Sequence, residues 1–124
     1  MQLAQGWSVA VDRGPDWLFV TLQCNDPARS EPTELAENLW ELGQCHLVNR
    51  IVLDLHQLPV LSSALLGQLA LLSKRMHNTQ GVLRLCGVPA SGEELIRTAT
   101  MERLFPCYAD RDSAVRGERP RQPR

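Results

Sequence analysis

The chain has 124 residues, of which 44% are apolar, 22% charged and only 5% aromatic. A domain of this length buries about two-thirds of the surface its unfolded chain exposes, so it can fold without disulfides or a structural metal. A formal net charge of -1 argues against general nucleic-acid binding, which calls for a basic surface.

The first apolar segments are Trp7-Ser8-Val9-Ala10-Val11 and Trp17-Leu18-Phe19-Val20-Thr21-Leu22. Between them Asp12, Arg13, Gly14, Pro15 and Asp16 have turn composition, which predicts two strands joined by a tight loop. A polar connection from Pro27 to Pro32 follows, with Ser30 or Thr33 as helix-capping candidates. Leu35, Leu39 and Leu42 then recur at i, i+4 and i+7 with Ala36 and Trp40 beside them, the pattern of an amphipathic helix. Ile51-Val52-Leu53-Asp54-Leu55 is short, apolar and bounded by polar residues, as a covered central strand is. After a loop containing Pro59, a second helix is expected from Ser63 to about His77, with Leu65, Leu69, Leu72 and Met76 along one face and Asn78 and Gly81 as its stop.

Val82 to Cys86 reads as a further strand, residues 93–101 as a helix, and residues 104–108 as a short edge strand, because Pro106 cannot donate to a ladder. The order β-β-α-β-α-β-α-β predicts one α/β domain over residues 1–115, with a mixed, mostly parallel sheet packed against helices. Residues 116–124 carry Arg116, Arg119, Arg121 and Arg124 against the single acid Glu118, and are expected to be a flexible basic tail.

Function classes narrow quickly. Cys24, Cys45, Cys86 and Cys107 are widely separated, which predicts neither a disulfide framework nor a zinc site. His46, His56 and His77 form no spacing with a cysteine or carboxylate, so a nucleophile–base arrangement is not expected and the chain is read as no enzyme. The first residues lack a basic start and an apolar stretch, and no apolar run approaches spanning length; a cytoplasmic location is expected.

The informative segment is Leu61-Ser62-Ser63-Ala64-Leu65-Leu66-Gly67. With Ser62 as N-cap, Leu61 and Leu66 occupy the two positions of a hydrophobic staple, and Ser63 is the first helical residue. Free N–H groups and the positive end of the helix dipole favour an anion there. The bland alternative is a serine pair that only caps a helix.

Residues 51–69 resemble the central segment of STAS domains, the anti-sigma factor antagonists, and the likeness continues through residues 81–88, 101–105 and 112–115. In that family a strand leads to an aspartate–serine pair and a glycine-containing helix start. The resemblance implies that Ser63 is the phosphorylation site, with Ser62 as second choice. It implies a partner-binding rim of Ser62, Ser63, Ala64, Leu65, Leu66 and Gly67, with Asp54 in support. It further implies partner exchange with an anti-sigma serine kinase and a serine phosphatase, with no cofactor or metal of the chain's own. No nucleic-acid or membrane contact is expected, and the chain is read as a monomer or weak dimer. Ser62 stands where the family has its aspartate, and Thr100 where it commonly has glycine. Two other readings remain open on the residues alone: a non-switching scaffold or sensor presenting Leu65 and Leu66, and a receiver-like phosphoacceptor using Asp54.

Overall fold

The structure, a computed structural model, describes residues 6–24, 34–58, 61–101 and 103–117. The elements are β1 (Trp7–Arg13), β2 (Leu18–Cys24), α1 (Leu35–Cys45), β3 (Arg50–Asp54), α2 (Ser63–Asn78), β4 (Val82–Cys86), α3 (Ala90–Thr98), β5 (Cys107–Tyr108) and α4 (Arg111–Arg116). The expected order is found, followed by one more helix, α4.

A single five-stranded sheet runs β1-β2-β3-β4-β5. β1 pairs antiparallel with β2, and the remaining pairs are parallel. Alternation along the strands divides the side chains between two faces. Leu18, Val20, Leu22, Ile51, Leu53 and Leu85 enter the main core with Leu35, Leu39, Leu65, Leu69 and Leu72 of α1 and α2 and Ile96 of α3. On the other face Trp17, Val52, Cys86 and Tyr108 form a smaller cluster with Ala114 of α4.

The structure adds α4, for which the sequence reading had no element. Asp110 caps it by accepting from the Ser113 N–H at 2.8 Å, and Gly117 ends it at φ +74°. Arg84 donates to the carbonyls of Ala114 and Val115 and lies over the rings of Trp17 and Tyr108. Arg116, assigned by the sequence to the tail, is the last residue of α4; residues 118–124 lie outside the described residues.

Other boundaries move for identifiable reasons. The third helix begins at Ala90 rather than at residue 93, because Gly92 lets its first turn close on Leu61 and Val88: a Cβ there would sit 3.0 Å from both. It ends early in a Schellman turn, with Met101 N–H donating to Ile96 O and Thr100 N–H to Arg97 O. The edge strand shortens to Cys107–Tyr108, since the amides of Leu104 and Phe105 both turn back to Met101 O. Glu34 occupies the N-cap of α1 without a side-chain cap bond; Ser30 and Thr33 lie outside the described residues.

Candidate functional site

At the start of α2, Ser62 has extended backbone geometry, and its Oγ accepts from the Leu65 N–H at 3.1 Å. Its carbonyl accepts from the Leu66 N–H at 2.9 Å. The cap stands as the spacing predicts, and Leu61 and Leu66, the two staple positions, are both buried in the main core. Ser63 follows as the first helical residue, with its side chain exposed, and among the described residues its hydroxyl has no hydrogen-bond partner. The Ser63 and Ala64 N–H groups have no acceptor within the helix, and the first turn holds no acid. An anion carried on Ser63 would therefore meet free donors and an uncompensated helix dipole.

The rim differs from expectation. Leu65 and Leu66 are 1% and 3% exposed and point into the core. They cannot offer side chains to a partner, because the same i, i+3/i+4 face that packs α2 on the sheet contains them. The surface around Ser63 consists of Ser62, Ala64 and Gly67 instead. A Cβ at Gly67 would meet nothing within 4 Å, so packing within the chain does not require glycine there.

Asp54 stands apart from this rim. Its neighbour Val52 joins the α4-side cluster, whereas Leu53 and Leu55 join the α2-side core, so Asp54 projects on the α4 face. Its Oδ1 accepts from the His56 N–H at 3.0 Å and lies 2.7 Å from His56 Nδ1, while its Oδ2 is 4.0 Å from Arg111 Nε. Arg111 also bonds Asp12 at 2.9 Å and Thr21 at 3.0 Å, and stacks over Phe19.

Asp54, His56 and Arg111 border an open cleft of about 430 Å³ at the C-terminal ends of β3 and β4, lined also by Cys86, Gly87, Ala109, Asp110 and Asp112. Gly87 has φ +63°, and a Cβ on it would come within 2.6 Å of Asp54 Oδ1, so this crossing point demands glycine. Burial pushes the Cys86 thiol up to about 12, which leaves it protonated and unreactive. No sequence spacing announces this cluster, because Asp12 and Arg111 are 99 positions apart.

A receiver-like role for Asp54 is overturned here. A receiver sheet runs 2-1-3-4-5 and is parallel throughout, whereas this one runs in sequence order with an antiparallel first strand. The Asp54 carboxylate is turned toward His56 and Arg111, and among the described residues no group of three metal-binding side chains exists.

A family model for the STAS domain matches residues 17–114, most of the chain and every element from β2 to the middle of α4. The chain belongs to the STAS domain family. Solved structures share the fold at low identity. An anti-sigma factor antagonist from Mycobacterium paratuberculosis superposes with a TM-score of 0.72 at 15% identity, covering 94% of this chain and 97% of that one. A chain from the stressosome does so at 0.69 and 15%, covering 88% and 95%. The anti-sigma factor antagonist SpoIIAA in its unphosphorylated form does so at 0.62 and 11%, covering 89% and 97%. No curated protein matches the sequence.

Within this STAS domain, Thr100 occupies the slot where the resemblance implies glycine, and its φ of +55° shows why glycine suits it. Among the described residues, no helix is long and apolar enough to cross a membrane.

Proposed function

We propose that this STAS domain is a cytoplasmic protein-binding regulatory module, an anti-sigma factor antagonist whose partner exchange is controlled by phosphorylation of Ser63. It acts by binding, and catalysis belongs to its partners. Unmodified, the domain binds an anti-sigma serine kinase and so releases a sigma factor for transcription. The kinase supplies the nucleotide; this chain supplies only the hydroxyl. A phosphoryl group on Ser63 adds a charge of about -1.5 to -2 to a surface of Ser62, Ala64 and Gly67 that holds none, and the complex separates. A serine phosphatase restores the binding form.

One observation carries this reading: Ser62 is committed to the cap while Ser63, next to it, presents a free hydroxyl to solvent at the positive end of a 16-residue helix. The two serines are chemically alike, and only their backbone positions separate a structural role from a modifiable one. SpoIIAA, among the similar folds, is described in an unphosphorylated form.

Peptide mapping of the chain recovered from its native cells tests the assignment: phosphate is expected on Ser63, and occupancy confined to Ser62 overturns it. Partner capture tests the switch. Ser63→Ala retains the kinase and Ser63→Asp loses it. Undiminished capture by Ser63→Asp rejects the switch in favour of a non-switching scaffold or sensor, a reading to which the stressosome fold lends support.

A further inference from the structure

The outer surface of α1 and α2 continues from the Ser63 rim, for Ser63, Gly67 and Leu71 follow one another at i, i+4 and i+8 on the exposed side of α2. Both helices connect parallel strands on the same side of the sheet, so they run parallel to each other. Their register is fixed by the Ala36 N–H donating to Gln68 Oε1 at 3.1 Å and by Arg75, which stacks over Trp40 at 4.4 Å and pairs with Glu37. Leu71 lies on α2 between Gln68 and Arg75, at i+3 from the first and i−4 from the second. It therefore sits on the seam beside Ala36 and Trp40. Leu71 is nevertheless 58% exposed, one of three large exposed hydrophobic residues among those described.

Charge on this face is segregated by helix. α1 carries Glu37 and Glu41 and no basic residue, whereas α2 carries Lys74 and Arg75 and no acid. Glu37 and Arg75 neutralise each other across the seam. Glu41 and Lys74 are exposed and have no ion-pair partner among the described residues.

We infer that the α1–α2 face is a docking surface for a second copy of this chain, paired about a two-fold axis running along the seam. A two-fold interface requires a patch that complements itself. Rotation about an axis parallel to the helices lays α1 of each copy on α2 of the other at the same height. Leu71 then meets the second copy's Ala36 and Trp40, which brings the apolar seam together at the centre. Around it the acidic helix of each copy faces the basic helix of the other, and Glu41 and Lys74 gain the opposite charges they lack within one chain. The arrangement of an aromatic and an arginine already held in place beside an apolar centre matches the composition of interface cores. The alternative axis, crossing the helices, would set acid on acid and base on base.

Sedimentation of the full chain over a concentration series decides the matter. A reversible monomer–dimer equilibrium is expected, weakened by salt. Leu71→Asp abolishes the dimer. Glu41→Lys and Lys74→Glu each weaken it by roughly tenfold, since each reversal acts twice across the axis, and the two together restore it. The restoration keeps the test decisive even if Leu71→Asp fails to fold, which its circular dichroism spectrum reports. A chain that stays monomeric at every concentration overturns the inference. So does a dimer that folded Leu71→Asp leaves intact, or one that the double reversal does not restore. A monomeric chain whose capture by the anti-sigma kinase is lost in folded Leu71→Asp also overturns it, and reassigns the face to that partner.

Discussion

The guanidinium of Arg84 donates to the carbonyl of Ala114 at 2.6 Å, tying the middle of β4 to the C-terminal turn of α4. Apart from the capping Gly117 N–H, 3.3 Å from Ala114 O, that turn lacks backbone donors for its last carbonyls, and a cation at a helix C-terminus also meets the negative end of its dipole. The same side chain lies over Trp17 and Tyr108, so one residue closes the second face of the sheet.

Replacing Arg84 by Met keeps the apolar stem but removes the donors. The expected loss is about 2 kcal/mol, the range for a partly buried charged hydrogen bond. Urea denaturation measures it, and hydrogen exchange should show α4 opening before the rest of the sheet. An unchanged midpoint would mean that the apolar contacts of Ala114 suffice to hold the helix.

The two serines at the α2 start are expected to separate in stability as they do in geometry. Ser62→Ala loses the bond to the Leu65 N–H and costs about 1 kcal/mol. Ser63→Ala, with no such bond to lose, stays within roughly 0.5 kcal/mol of the parent. Equal losses in denaturant titrations would show that the hydroxyls share the cap.

Thr100 is a β-branched residue at φ +55°. Left-handed backbone costs such a residue about 1 kcal/mol or more, and its hydroxyl gains only an exposed bond to the Ala99 carbonyl in return. Thr100→Gly is therefore expected to raise stability by about 1 kcal/mol, or Tm by roughly 4 °C. A fall in Tm would show that the hydroxyl bond outweighs the strain.

Burial, with Asp54 nearby adding to its effect, pushes the Cys86 thiol from 9.0 up to about 12. Its contribution to stability is complete below pH 9. It is lost as pH rises toward 12, because the unfolded thiol ionises and the folded one does not. The stability difference between the parent and Cys86→Ala should accordingly shrink above about pH 9. Iodoacetamide at neutral pH should modify the exposed Cys45 and spare Cys86 until the chain unfolds. Modification of native Cys86 at the rate of Cys45 would contradict this.

The order of strands and helices was legible in the chain because each of the larger elements is amphipathic or apolar at its own period: Leu35, Leu39 and Leu42 at helical spacing, Ile51 to Leu53 as a buried strand. The cap at Ser62 and the outward place of Ser63 were legible too, since both follow from a few adjacent residues. α4 was missed because six residues with one buried side chain carry no periodic signal, and only its caps, Asp110 and Gly117, mark it.

Contacts between distant residues were decided by tertiary structure alone. Leu65 and Leu66 are core rather than rim because the sheet fixes which side of α2 turns inward. Asp54 serves the α4 face, held by His56 and Arg111, because alternation along β3 sends it away from α2. Local chemistry determines how a segment folds and where its helix begins. Which of its faces is left to solvent depends on surfaces brought together from far along the chain, as the pairing of Asp12 with Arg111 shows.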